Sequence, residues 1–390
     1  MNRSIWALFY LATTLFGIAE GFLLVLALYI NDSGGSEALT GTILFFQSFG
    51  ALFVIPFGGV ILGYVRVTTL ILAGAGLFAL SAGLFWASAV DNTATLILAG
   101  LLSGAGWAIA YTATPITVSK LSPSDNTVIH FSLLAASNMA GMGISPLIAY
   151  ALHAQGALRL MFPIAMIAVL VSGGLFLVLT RLTPLPVPDR NRGRESSSDT
   201  LRSFASLVRS ARCFPLAMVL IGACIFSTMS NFQSTFAQAE GLSFPIYYLS
   251  YTLSVIAARI VFSAPLSRFN LHSTVNIMLA IMCAGLLLFP FLGGSNIVYA
   301  LSAILLGVGY GLAYPTLKGC MVEGIEGKKR DRALVLFSLS YFVGLYMFPY
   351  VSGRIITEFG YPSLLWVLTG LGLGELALGL TLQRCNAATS

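Results

Sequence analysis

Gly104-Ala-Gly106-Trp107-Ala-Ile-Ala110-Tyr111 and Gly307-Val-Gly309-Tyr310-Gly-Leu-Ala313-Tyr314 align at a constant offset of 203 residues, with five like positions. Each octet sits in the middle of an apolar run. A second echo follows each of them. Phe131-Ser132-Leu133 returns as Phe337-Ser338-Leu339 at an offset of 206, and a proline follows each copy in the same run, Pro146 and Pro349. Two ordered matches half a chain apart point to a parallel duplication of one helical unit.

The rest of the chain agrees with a duplicated membrane unit. Its 390 residues are 57% hydrophobic and 9% charged, with a mean hydropathy of +0.89, whereas soluble globules carry about 25% charge. A soluble enzyme is excluded. A helical span takes roughly 20 apolar residues. Runs of that kind fall at 5–30, 38–63, 67–90, 95–118, 128–152 and 160–180, and again at 214–239, 245–266, 274–292, 296–317, 333–353 and 361–382. The runs are continuous rather than alternating, which selects helices over a barrel. The expected fold is an all-α membrane protein of twelve transmembrane helices, with an N-terminal six-helix half at 1–180, a basic linker at 181–213 and a C-terminal six-helix half at 214–390. The first run exceeds the roughly 7–15 apolar residues of a cleavable signal and reads as a retained helix.

Charge orients this array. The formal net charge is +6. If loops are assigned alternately to the two sides, one side collects 17 of the 20 basic residues: Arg3, Arg66, Lys120, the seven arginines of the linker, Arg268, five between Lys318 and Arg332, and Arg384. The other side holds Arg159 and Arg354, while Arg259 lies inside a span. The basic side is the cytoplasmic one, which places both termini in the cytoplasm and the chain in the inner membrane. The excess charge is thus accounted for by the lipid bilayer as partner, and no nucleic acid is expected. The linker carries Pro184, Pro186 and Pro188, a Ser196-Ser197-Ser198 run and a short amphipathic stretch from Leu201 to Arg212. It reads either as a tether on anionic headgroups or as a partner-binding segment.

Several chemistries drop out. Cys213, Cys224, Cys283, Cys320 and Cys385 form no CxxC pair and there are three histidines, so neither a metal site nor a disulfide framework is expected, and no cofactor. Glycine pairs at four-residue spacing (Gly17/Gly21, Gly100/Gly104, Gly307/Gly311, Gly370/Gly374) read as close helix approaches rather than phosphate loops. No nucleophile, base and orienting group can be assembled from motifs.

Twelve spans, a basic central linker and two six-span repeats resemble the major facilitator superfamily of secondary transporters over essentially the whole chain. The family's GxLxDRxGR motif between spans two and three is degenerate here. The stretch Gly59-Val-Ile-Leu-Gly63-Tyr64-Val-Arg66-Val has glycine in place of the aspartate, and the second-half equivalent, Ser263-Ala-Pro265-Leu266-Ser267-Arg268-Phe269, again lacks the acid. Gly141-Met-Gly143-Ile-Ser145-Pro146 is similar to a degenerate form of the GP-containing motif of proton-coupled exporters. The resemblance implies alternating access, a path lined by spans one, four, seven and ten, and a tilt towards export.

Of the charged residues, Glu20, Arg259 and Glu375 fall well inside spans, where each costs about 2.5–3.5 kcal/mol or more. Glu20 lies about 22 Å into the first span and shares a face with Thr13 and Gly17. It is either the proton-coupling carboxyl or a protonated structural acid. Arg259 either meets an anionic substrate or the helix-interface network, or is a structural arginine that snorkels towards the cytoplasm. Glu375, in the last span, reads as structural. Ser227, Asn231, Ser234 and Gln238 form a polar stripe along the seventh span, which a membrane helix turns away from lipid. Asn138 joins them as a substrate-contact candidate or as helix-packing glue. Trp107 and Tyr111, with Tyr310 and Tyr314, place paired rings at i and i+4 in corresponding helices, to line a shared site or to pack each half. The sequence is therefore expected to encode an exporter of a small organic solute (a drug-like compound, a metabolite, or a siderophore or other metallophore) working by proton antiport. The alternatives are a proton-coupled uptake symporter, or a transporter-like assembly or sensory protein that no longer transports.

Overall fold

The computed structural model describes residues 3–121, 127–183, 206–266, 270–325 and 327–389. The Pro- and Ser-rich body of the linker (184–205), Ser267-Arg268-Phe269 and the side chains of the 59–64 motif lie outside the described residues. Two compact units emerge, Met1–Arg194 and Glu195–Ser390, which meet in sequence within the 181–213 stretch.

Both units are built from helices, with no strand among the described residues. An apolar segment in hydrocarbon has no water for its amide and carbonyl groups, so it must satisfy them within itself. Unit 1 contains span one (Ser4–Asp32), span two (Glu37–Tyr64), span three (Val67–Ala87), span four (Thr93–Leu121), span five (Thr127–Ala154) and span six (Met161–Leu182). Span four packs on spans two and three, span one on spans five and six, and span three on span six.

Unit 2 follows the same order. Span seven (Cys213–Asn231) continues as a short helix, Gln233–Ala239. Then come span eight (Phe244–Leu266), span nine (Leu271–Leu288), span ten (Asn296–Val322) and one helical run, Gly327–Thr389. Its apolar part, Arg332–Arg384, has 53 residues and would measure about 80 Å at 1.5 Å per residue, far beyond a bilayer core of about 30 Å. It turns at Gly360, whose φ of 79° is open to glycine at little cost, and Pro362 follows. The break yields spans eleven and twelve, so the eleven apolar segments make twelve spans. Span ten packs on spans eight and nine, and spans seven and nine on the eleven–twelve run, repeating the pairing of unit 1.

The duplication extends to backbone detail. Span one loosens into a 3-10 turn at Phe22–Val25, ending at Val25 with φ −106° and ψ 7°. Span seven breaks at Phe232 with φ −110° and ψ 6°. These positions are 207 residues apart, so each unit bends its first helix at the same place. A Cβ on Gly106 would lie 2.6 Å from the Gly74 carbonyl oxygen, and one on its repeat-mate Gly309 would lie 2.7 Å from that of Met278. Both glycines let the fourth helix of a unit press against the third.

Span nine starts at Leu271, within a few residues of the expected 274, where the Asn270 side chain caps it, accepting from the amides of His272 at 2.9 Å and Ser273 at 3.3 Å. One expectation needs correction. Gly370 and Gly374 do not form a close approach, since the space where their side chains would stand is open. Four-residue spacing marks a face without saying what covers it.

Candidate functional site

In unit 1 the site grows from the span one–span five interface. Gly17, Gly21 and Gly141 lack side chains where these helices touch, and a Cβ on Gly17 would come 2.5 Å from the Asn138 carbonyl oxygen. Ser145 ties the same seam by donating to the Ile18 carbonyl at 2.7 Å. This closeness brings Asn138 beside Glu20, one turn beyond Gly17. The side chains of Asn138 of span five and Trp107 of span four lie beside the Glu20 carboxyl with their donor groups within its reach, while its buried Oε2 has no hydrogen-bond partner among the described residues. Thr13, on the same face, is buried and donates back to its own helix at the Phe9 and Tyr10 carbonyls.

Trp107 is buried and stacks on Tyr111 with ring centres 4.6 Å apart and planes at 20°. Tyr111 itself is 49% exposed. Glu20, Asn138, Trp107 and Tyr111 thus form one constellation of an acid, an amide and two rings, drawn from three helices. Glu20 sits directly before the loosened turn of span one, at a place where 3-10 geometry often marks a hinge. Among the described residues of unit 1 no other acid or base lies deep within a span. The group available there for binding a proton or a cationic or hydrogen-bonding solute is a carboxyl with one buried, unpartnered oxygen.

In unit 2 the residues expected to form a site separate. The break at Phe232 interrupts the stripe on span seven. Ser227 is fully buried and donates to the Cys224 carbonyl at 3.1 Å, and Asn231 is half-buried, donating to the Ser227 carbonyl at 2.7 Å. Beyond the break, Ser234 is fully buried and Gln238 is exposed. The tyrosine pair also diverges: Tyr310 stacks on Phe226 at 4.8 Å and 5°, whereas Tyr314 lies against Tyr341 at 4.8 Å and Phe337 at 5.5 Å. Arg259 of span eight donates through Nε to the Gly311 carbonyl of span ten at 3.2 Å, so part of its donor set serves a helix contact.

Residues that the sequence did not single out complete the picture. Phe226, the partner of Tyr310, stands 206 residues after Glu20, the partner of Trp107. The repeat offset is the signal that could have found it. Gln233 accepts from the buried Tyr299 hydroxyl at 2.8 Å, and Thr228 and Ser352 share a 2.6 Å hydrogen bond joining spans seven and eleven. In unit 1, His130 of span five stacks on Trp6 at 3.6 Å and bonds the Tyr10 hydroxyl at 2.6 Å. Among the described residues no three His, Cys, Asp or Glu side chains are grouped to hold a metal ion.

A family model described as Major Facilitator Superfamily matches residues 9–327. Among solved structures, the chain is similar to the nucleoside transporter NupG, with 17% identity, a TM-score of 0.74, and coverage of 98% of this chain and 99% of that one. It is also similar to a variant of the peptide transporter POT, with 14% identity, a TM-score of 0.76, and coverage of 100% and 95%. At such identities the likeness concerns the fold. No curated protein sequence matches the chain.

Proposed function

The chain belongs to the Major Facilitator Superfamily, and on that premise we propose that it is a secondary active transporter exporting a small organic solute by alternating access, in exchange for protons carried by Glu20. The observation that carries this reading is the Glu20 carboxyl itself, deep in span one beside Asn138 and Trp107, with one buried oxygen that has no hydrogen-bond partner among the described residues. A charge placed there is costly, and a carboxyl can trade it for a proton as its surroundings open and close. Binding a solute beside Trp107 and Tyr111 and binding a proton to Glu20 then become alternatives, which is what antiport requires.

Trp107, Tyr111 and Asn138 are the solute contacts of unit 1 in this scheme; Asn231, Gln238, Tyr314 and Arg259 are those of unit 2, with Ser227, Ser234 and Tyr310 supporting them from buried positions. The solute is a drug-like compound or a metabolite, metallophores included. The membrane is the inner one, with both termini on its cytoplasmic side, as the basic loops favour. The linker at 181–213 joins the six-helix halves 1–180 and 214–390.

A thermal-shift screen of purified protein against metabolites and chelators identifies the solute, since a ligand binding the folded state raises the midpoint. Glu20→Gln and Asn231→Ala are expected to weaken the shift. With that solute, inverted vesicles acidified inside are expected to accumulate it. Loss of preloaded solute under the same gradient favours uptake symport, and a protein that moves no solute but retains a stable partner favours the non-transporting alternative.

A further inference from the structure

Unit 2 contains an interior acid that the proposed exchange at Glu20 leaves unused. Glu375 lies nine residues before Arg384, about 14 Å along span twelve, and is 1% exposed. Its carboxyl rests on span seven at Gly222, where a Cβ would stand 3.2 Å from one oxygen and 3.4 Å from the other. The bare glycine gives the carboxyl its seat. Beside it is a narrow pocket with room for about one water molecule, bordered by Met282 of span nine and by Tyr310 and Tyr314 of span ten, with otherwise aliphatic walls.

One oxygen of the carboxyl has nothing to hold on to there. Its Oε2 is buried with no hydrogen-bond partner among the described residues. The titratable groups that face it are Cys224 of span seven, Cys283 of span nine, and Tyr310 and Tyr314 of span ten, and neither lysine nor arginine lines the cavity. A structural acid earns its place by a hydrogen bond, and this oxygen makes none. A hard cation wants about six oxygens, which these walls do not offer. An uncompensated carboxylate is costly in such surroundings, and the neutralising species that fits is a proton.

The duplication supplies a second, independent argument. Tyr310 occupies the repeat position of Trp107, the ring beside Glu20 in unit 1. In unit 2 the place of Glu20 is taken by Phe226, stacked on Tyr310, and the acid reaches the cavity beside the same tyrosine from span twelve instead. Each unit therefore keeps one interior acid next to the equivalent aromatic of its fourth helix, by different routes. We propose that Glu375 is a second proton-exchange site, contained within unit 2, which takes up and releases a proton through this cavity independently of Glu20.

The test uses the full-length protein in lipid and the apolar carbodiimide dicyclohexylcarbodiimide, which reacts with protonated carboxyls, with the label located by peptide mass spectrometry. Labelling of Glu375 is expected at about pH 6 and is expected to fall about ten-fold or more by about pH 9, as the protonated fraction falls. Labelling that is constant over that range, or absent throughout, overturns the proposal. Infrared pH-difference spectra provide the second readout: a carboxyl C=O band is expected to vanish in Glu375→Gln and to persist in Glu20→Gln. A spectrum unchanged by Glu375→Gln overturns the proposal whatever Glu20 does, and the labelling needs no variant to fold.

Discussion

Gly106 and Gly309 hold the same place in the two units, and alanine at either position should destabilise the protein alike. At Gly106 the new methyl group would lie 2.6 Å from the Gly74 carbonyl oxygen and 2.9 Å from the Phe78 amide nitrogen. At Gly309 it would lie 2.7 Å from the Met278 carbonyl oxygen and 2.6 Å from the Met282 amide nitrogen. Ordinary contact begins near 3.4 Å, so helix backbones must move by several tenths of an ångström, because the opposing atoms are main chain and cannot rotate away. Overpacking of this kind costs about 1–3 kcal/mol, and the rigid partners place these sites at the upper end. Against it stands the helix preference of alanine over glycine, about 1 kcal/mol. The net loss is about 2 kcal/mol, or roughly 4–8 °C in midpoint for units of this size. Gly374→Ala is the control: its methyl group meets open space, so only the helix preference acts and the midpoint should hold or rise slightly. The assay is thermal unfolding of the three variants in one detergent, followed by a thiol-reactive dye. Equal midpoints for Gly106→Ala and Gly374→Ala, or a loss at Gly106 without one at Gly309, would refute the shared close approach.

Trp107→Phe keeps an aromatic ring against Tyr111 but removes the indole donor to Glu20; a hydrogen bond to a charged group is worth about 1.5–3 kcal/mol, so gradient-driven transport should fall at least about ten-fold with expression preserved. Gln233→Leu strands the buried Tyr299 hydroxyl, and the cost of about 1–3 kcal/mol should appear as a lower midpoint that the double variant Gln233→Leu/Tyr299→Phe largely restores.

What could be read from the sequence follows from the solvent. Lipid demands long apolar runs, so the ends of most spans lie within a few residues of expectation; the 203-residue echo contains Gly106 and Gly309, but the four-residue spacing rule singles out Gly100, Gly104, Gly307 and Gly311 instead. The break at Phe232 was not legible: Asn231-Phe232-Gln233 contains neither proline nor glycine, and a polar stripe drawn at 3.6 spacing through it assumes a helix that does not continue. Counting along span one gave the depth of Glu20 but not its neighbours, because Asn138 and Trp107 arrive from helices more than eighty residues away. For Glu375, depth in the last span gave no hint of the cavity, since Gly222 and Tyr310, which shape it, belong to two other spans.

Proton exchange at Glu20 meets its most direct test in liposomes containing purified Glu20→Gln protein and the solute found by the thermal-shift screen. The account predicts that accumulation driven by a pH gradient disappears, while solute-for-solute exchange across the membrane persists at the higher solute concentrations that the weakened binding requires. Accumulation by the variant at the rate of the unaltered protein would contradict it.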